Sequence, residues 1–172
     1  MGKSTNPNGV LSMIYIAIYL TAIVSANLTL LYFGPWFSIW NALFFIGVDL
    51  AIRDKLHEVW KGQNLWPKML GLICSGSLIT ILFNLDALQI AIASAVAFGV
   101  SALIDSAIFQ ALIKKHFLVK SNGSNAFGAL ADSLIFPTLA FGSLMPEIIL
   151  MQFIAKFIGG GIASIIINKF RN

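Results

Sequence analysis

The chain has 172 residues, 58% hydrophobic and only 10% charged, with a net charge of +4 and a mean hydropathy of +0.87. A soluble domain carries about 25% charged residues, so the composition excludes a soluble enzyme or binding module. It points to an all-α integral membrane protein, read as a single transmembrane domain over residues 1–172. A positive balance can signal nucleic acid, but here ten of the eleven basic residues sit in short stretches outside the apolar runs, so the expected macroscopic partner is the lipid bilayer and no nucleic acid.

In chain order, the apolar runs are 10–31, 36–52, 69–83, 87–113, 125–142 and 148–168. A bilayer core of about 30 Å takes roughly 20 helical residues, so these read as six membrane-spanning helices. The first follows Lys3 and offers Asn27 on nearly the same helical face as Tyr15 and Tyr19. Lys3, this run and Val24-Ser25-Ala26 also match a cleavable signal peptide, but its removal would leave five runs and break the charge alternation described below. The second run is short and should continue through Arg53 into a helical end bearing Arg53, Asp54, Lys55, His57 and Glu58. The third holds Cys74, the single cysteine, which has no partner for an internal disulfide. The fourth is long and rich in small residues (Ala91, Ala93, Ala95, Ala97, Gly99), which let neighbouring backbones approach closely; it is expected at the centre of the bundle. Pro137 should kink the fifth, and Gly159-Gly160-Gly161 should loosen the sixth or pack it closely.

The connections alternate in charge. Lys3, then Arg53, Lys55, Lys61 and Lys68, then Lys114, Lys115 and Lys120, then Lys169 and Arg171 account for ten of the eleven Lys and Arg residues. The connections between hold Gly34-Pro35, Asn84 with Asp86, and Glu147. The positive-inside rule then places both termini in the cytoplasm. Asn41-Ala42 before Asp49 in the second run echoes Asn125-Ala126 before Asp132 in the fifth. These are the middle helices of two three-helix halves, so an inverted 3+3 repeat is one reading, with a solute site where the halves meet.

The polar residues inside the apolar runs are the candidate site, because every polar group in hydrocarbon needs a partner. They are Asn27 in the first run, Asn41 and Asp49 in the second, Ser94, Ser101 and Asp105 in the fourth, Asn125 and Asp132 in the fifth, and Gln152 and Lys156 in the sixth. Pairs such as Asn125–Asp132 and Gln152–Lys156 recur at helical spacing and so share a face. The plain structural reading is mutual pairing, with Lys156 neutralising Asp132. The three buried acids outnumber the one buried lysine, however, so some are protonated or face a wet cavity. Asn27, Asn41, Asp105, Asn125, Asp132, Gln152 and Lys156 are therefore the expected substrate-binding residues. Asp49, Arg53 and His57 form a candidate inner gate, against the alternative of a solvated helix end with Asp49 paired to Arg53.

Asp and Asn side chains suit a planar, nitrogen-rich solute, since a carboxylate accepts two adjacent N–H bonds and an amide both donates and accepts. Phe98, Phe136, Trp36 and Trp40 could stack on a ring, although tryptophans equally serve as membrane-interface belts. No metal-ligand spacing surrounds His57 or His116, and no cofactor motif is present. A buried acid beside Lys156 offers a proton site, so proton-coupled or facilitated uptake is expected, with Lys156 as the tuning charge.

Several stretches together resemble the VUT family of vitamin uptake and queuosine-precursor transporters. They are Ser25-Ala26-Asn27-Leu28-Thr29, Gly34-Pro35-Trp36, Asp49 followed by Arg53-Asp54-Lys55-Leu56-His57, and Gly123-Ser124-Asn125-Ala126-Phe127-Gly128-Ala129 leading into Asp132-Ser133. Phe136-Pro137-Thr138 and Gln152-Phe153-Ile154-Ala155-Lys156 complete the set. The resemblance implies a six-helix, multi-pass importer of the bacterial cytoplasmic (inner) membrane. It also implies a substrate such as preQ0 (7-cyano-7-deazaguanine) or a related deazapurine, moved by secondary or facilitated transport. The competing reading is the substrate-binding subunit of an energy-coupling-factor vitamin importer, which would need ATPase partners. An intramembrane enzyme is disfavoured: the sequence has no GxGD, no GxSG with a histidine and no paired-Asp phosphotransferase signature. A homo-oligomer stays open at this stage.

Overall fold

The computed structural model of the protein describes residues 7–45, 60 and 64–171, and among these all regular structure is helical. Helix α1 is Pro7–Phe33, α2 is described over 37–45, α3 is Leu65–Phe83, α4 is Leu88–Ala111, α5 is Phe117–Phe141 and α6 is Pro146–Arg171. A short 3-10 turn, Leu85–Ala87, joins α3 to α4. Asp49, Arg53 and His57 lie outside the described residues.

Short turns fix the direction of successive helices. Gly34 and Gly142 end α1 and α5 with φ of 77° and 69°, a left-handed conformation that glycine adopts without steric cost. Between α3 and α4, the Asn84 side chain accepts from the Asp86 amide at 2.9 Å, which caps the short turn there. Contacts between helices confirm the alternation. Gln89 at the start of α4 donates to the Leu139 carbonyl near the end of α5, and Ser101 donates to the Gly128 carbonyl, so this pair is antiparallel. Lys156 meets Asp132 and Gly160 faces Asn125, so α5 and α6 are antiparallel too. Asn27 meets Thr80 and Ile23 meets Gly76, so α1 and α3 run parallel.

The two ends of the bundle therefore differ in charge. Lys68, Lys114, Lys115 and Lys120 gather at one end, called here the basic end. The turns with Gly34, Asp86, Gly142 and Glu147 gather at the other, the acidic end, where Asp86 and Glu147 are both exposed.

Helix α4 packs most extensively on α5. Its small residues make this possible: Ala91, Ala93 and Ala97 are fully buried, and α4 sits between α3 and α5 as the small-residue run predicts. Leu30, Ile90, Ala93, Ala97, Phe136 and Ala140 form one apolar cluster, and Tyr19, Trp60, Met69 and Leu72 a second. Large apolar side chains such as Leu82, Leu103, Leu150 and Ile158 point outward. A water-soluble surface does not carry apolar side chains at this density, whereas a lipid-facing one does. Ser12–Phe33 and Leu85–Ala111 are each long and apolar enough to cross a membrane. Helices α5 and α6 have comparable length, 25 and 26 residues, and carry Asn125, Asp132, Gln152 and Lys156.

Two helices extend beyond the apolar runs of the sequence. The fifth helix begins at Phe117, not at 125, because Lys120, Ser121, Asn122 and Ser124 are polar but helical; the His116 ring accepts from the Leu118 amide and caps it. The third begins at Leu65, so Lys68 is inside a helix rather than in a connection. Pro137, the residue expected to kink this helix, lies within Phe117–Phe141 and is buried. Thr138, Thr80 and Ser75 each bond back to the carbonyl one turn earlier, as hydroxyls in apolar helices commonly do.

Candidate functional site

Among the described residues, five helices line a cavity of about 250 Å³. Helix α1 supplies Tyr19 and Asn27; α2 supplies Ser38 and Asn41; α4 supplies Ser94, Phe98, Ser101 and Asp105; α5 supplies Asn125, Asp132 and Phe136; α6 supplies Gln152 and Lys156. Helix α3 lines none of it and acts from behind, through Thr80.

One wall is a continuous chain of polar contacts linking three helices. The Lys156 ammonium donates to Asp132 Oδ2 across the α5–α6 interface and to Gln152 Oε1 at 3.1 Å, one turn earlier on its own helix. The Gln152 amide donates to Ser38 Oγ at 2.6 Å, and the Ser38 hydroxyl donates to the Pro35 carbonyl at 2.6 Å. Gln152 and Ser38 are buried, whereas Lys156 and Asp132 keep about a fifth of their side chains exposed, at 18% and 22%. Each side chain in the chain is tied to the next by a hydrogen bond, and linked polar groups of this kind rigidify an apolar interior.

The opposite wall is fixed by amide side chains. Asn27 Nδ2 donates to Thr80 Oγ1 at 3.3 Å, while Thr80 donates to the Gly76 carbonyl at 2.9 Å. Asn41 Nδ2 donates to the Ala26 carbonyl at 2.9 Å and to Thr29 Oγ1 at 3.1 Å, tying α2 to α1 beyond the Gly34 turn. Both asparagines are thus oriented by protein partners and still border the cavity.

Toward the basic end the wall is barer. Asp105 lies opposite Gly128, where an added Cβ would come within 3.2 Å of the Asp105 Cβ, so α5 presents backbone rather than a side chain. Asn125 is one turn from Gly128 and faces Gly160 of α6. Glycines at facing positions let the three helices close up while leaving the polar side chains uncovered.

All seven residues expected to bind substrate from the sequence, Asn27, Asn41, Asp105, Asn125, Asp132, Gln152 and Lys156, border this one cavity. The expected Lys156–Asp132 contact is present. Phe98 and Phe136 line the cavity, but Trp36 and Trp40 do not: both are more than half exposed, on the outer surface near the acidic end, where a belt role fits. Sequence reasoning missed Ser38 and the backing residues Thr80 and Thr29. Ser38 was findable, since Ser38, Asn41, Ala42 and Phe45 follow the spacing of one helical face and all line the cavity.

The arrangement offers amide and carboxyl hydrogen-bonding groups, four aromatic rings and three ionisable side chains around a space the size of a small heterocycle. A family model described as a putative vitamin uptake transporter matches residues 8–167. No curated protein and no solved structure matches the chain.

Proposed function

The chain belongs to the vitamin uptake transporter family, and from that premise we propose that it imports a small, planar, nitrogen-rich solute, a deazapurine of the preQ0 class. The proposed route is secondary or facilitated transport across the bacterial cytoplasmic membrane, through six crossings with both termini inside. The observation that carries this reading is the convergence of seven polar side chains from five helices on one cavity. Such residues are costly in a membrane interior and cluster where a solute path requires them.

Size and chemistry support the same class. Pockets for drug-sized ligands span about 300–1,000 Å³, so about 250 Å³ suits one bicyclic ring system and not a large coenzyme. Asn27, Asn41, Asn125 and Gln152 can read a ring edge bearing both donors and acceptors, and Phe98 and Phe136 offer apolar faces to the ring. The basic end, facing the cytoplasm under this reading, fits the positive-inside rule.

Purified protein should be stabilised against heating by preQ0 or a close 7-deazaguanine in preference to anionic vitamins. Stabilisation by an anionic vitamin and by no deazapurine would overturn the substrate assignment. Tight binding without uptake by the protein alone would favour the ATPase-dependent alternative.

A further inference from the structure

Asp132 and Asp105 both border the cavity but differ in circumstance. Asp132 is held by Lys156, and Lys156 is itself positioned by Gln152. Its charge is matched inside the protein. Asp105 has no such match: its Oδ1 is shut off from solvent and has no hydrogen-bond partner. Lys156, the one cation among the described residues that line the cavity, is engaged by the other acid.

The surroundings of Asp105 supply it no donor. Ser101, one turn before it, commits its hydroxyl to the Gly128 carbonyl at 2.9 Å. Gly128 itself brings no side chain over the carboxylate. Across the same region, Gly160 leaves the space beside Asn125 unfilled, the nearest Asn125 atom being 3.6 Å from where a Cβ would sit. A buried acceptor with no donor is costly in a low-dielectric interior. A solute that brings N–H groups to the carboxylate, with the side chain turned so that Oδ1 reaches the cavity, removes that cost and gains affinity from doing so.

We infer that Asp105 is the carboxylate that recognises the solute, accepting two adjacent N–H bonds from one ring edge, while the Asp132–Lys156 pair is a fixed part of the wall. The inference rests on the deazapurine reading above and adds the edge that is read: a ring N–H next to an exocyclic amine, the donor face of a guanine-type base. A carboxylate takes such a pair side by side. Two carboxyl groups face one lysine around the cavity, so solutes bearing a carboxylate or phosphate are disfavoured.

Equilibrium binding of preQ0 and of its analogue lacking the exocyclic 2-amino group tests this on three proteins: wild type, Asp105→Asn and Asp132→Asn. The wild type should bind the analogue on the order of 10–100-fold more weakly, the loss typical of a charged hydrogen bond. Asp105→Asn should bind preQ0 weakly and discriminate little between the two compounds. Asp132→Asn should keep the discrimination. Melting without ligand shows whether each variant is folded, and the wild-type comparison needs no variant at all. Equal wild-type affinities, or discrimination that survives in Asp105→Asn, would overturn the inference and leave the deazapurine reading standing. Discrimination lost in Asp132→Asn alone would transfer the role to Asp132. Failure of the wild type to bind either compound would sink the deazapurine reading, and the inference with it.

Discussion

Replacing Lys156 with methionine isolates the contribution of the polar wall. The substitution keeps a long unbranched side chain but removes the cation from Asp132 and the donor from Gln152 Oε1. Removing one partner of a fully buried pair costs about 3–5 kcal/mol. Here the two side chains are 18% and 22% exposed, so partial solvation lowers that to about 2–3 kcal/mol. The lost bond to Gln152 adds about 0.6 kcal/mol, the average for polar contacts between membrane helices. A total of about 3 kcal/mol corresponds to a fall in Tm of roughly 6–12 °C for a chain of this length. The double variant Lys156→Met/Asp132→Asn leaves no orphaned charge and should recover about 2 kcal/mol of the loss, a coupling typical of residues in direct contact. Heating detergent-solubilised protein and following the monodisperse fraction by size exclusion measures all four corners of the cycle. A Lys156→Met variant as stable as wild type would refute the reasoning, as would a double variant no more stable than the single.

Gly128→Ala should destabilise by about 1–3 kcal/mol in the same melting assay, because the new methyl group lands 3.2 Å from Asp105 Cβ and 3.4 Å from Ser101 Oγ where α4 and α5 meet. Gly160→Ala should be tolerated, since its Cβ would meet Asn125 at ordinary contact distance, whereas Gly160→Phe should fill the space beside Asn125 and abolish uptake while membrane insertion, read by fractionation, persists. In a Cys74→Ala background, an impermeant thiol reagent applied to intact cells should label Glu147→Cys and spare Lys115→Cys. The reverse pattern would invert the proposed orientation.

Much of this arrangement is written in the chain because a membrane interior makes polar residues conspicuous. Asn125 with Asp132, and Gln152 with Lys156, recur at helical spacing inside apolar runs, so their shared faces and the Lys156–Asp132 contact follow from periodicity and charge. The same logic fails for residues that are weakly polar. Ser38 and Thr80 do not interrupt an apolar run, yet Ser38 receives the Gln152 amide and Thr80 orients Asn27. The start of α5 was also illegible by hydropathy, since its first turns are polar where the helix leaves the apolar layer. Nor could periodicity separate a tryptophan facing a ring-binding cavity from one facing lipid; Trp36 and Trp40 required coordinates. The unequal states of Asp105 and Asp132 depend on which helix faces carry glycine, and that is a matter of three-dimensional register.

Transport by this chain alone is the central claim, and purified protein in liposomes of bacterial lipid, with no ATPase present, tests it most directly. Labelled preQ0 should enter these vesicles faster than protein-free controls, saturate with concentration, and be competed by unlabelled 7-deazaguanines but not by anionic vitamins. Entry at the rate of protein-free vesicles, from protein that binds the compound and is correctly inserted, would contradict the account.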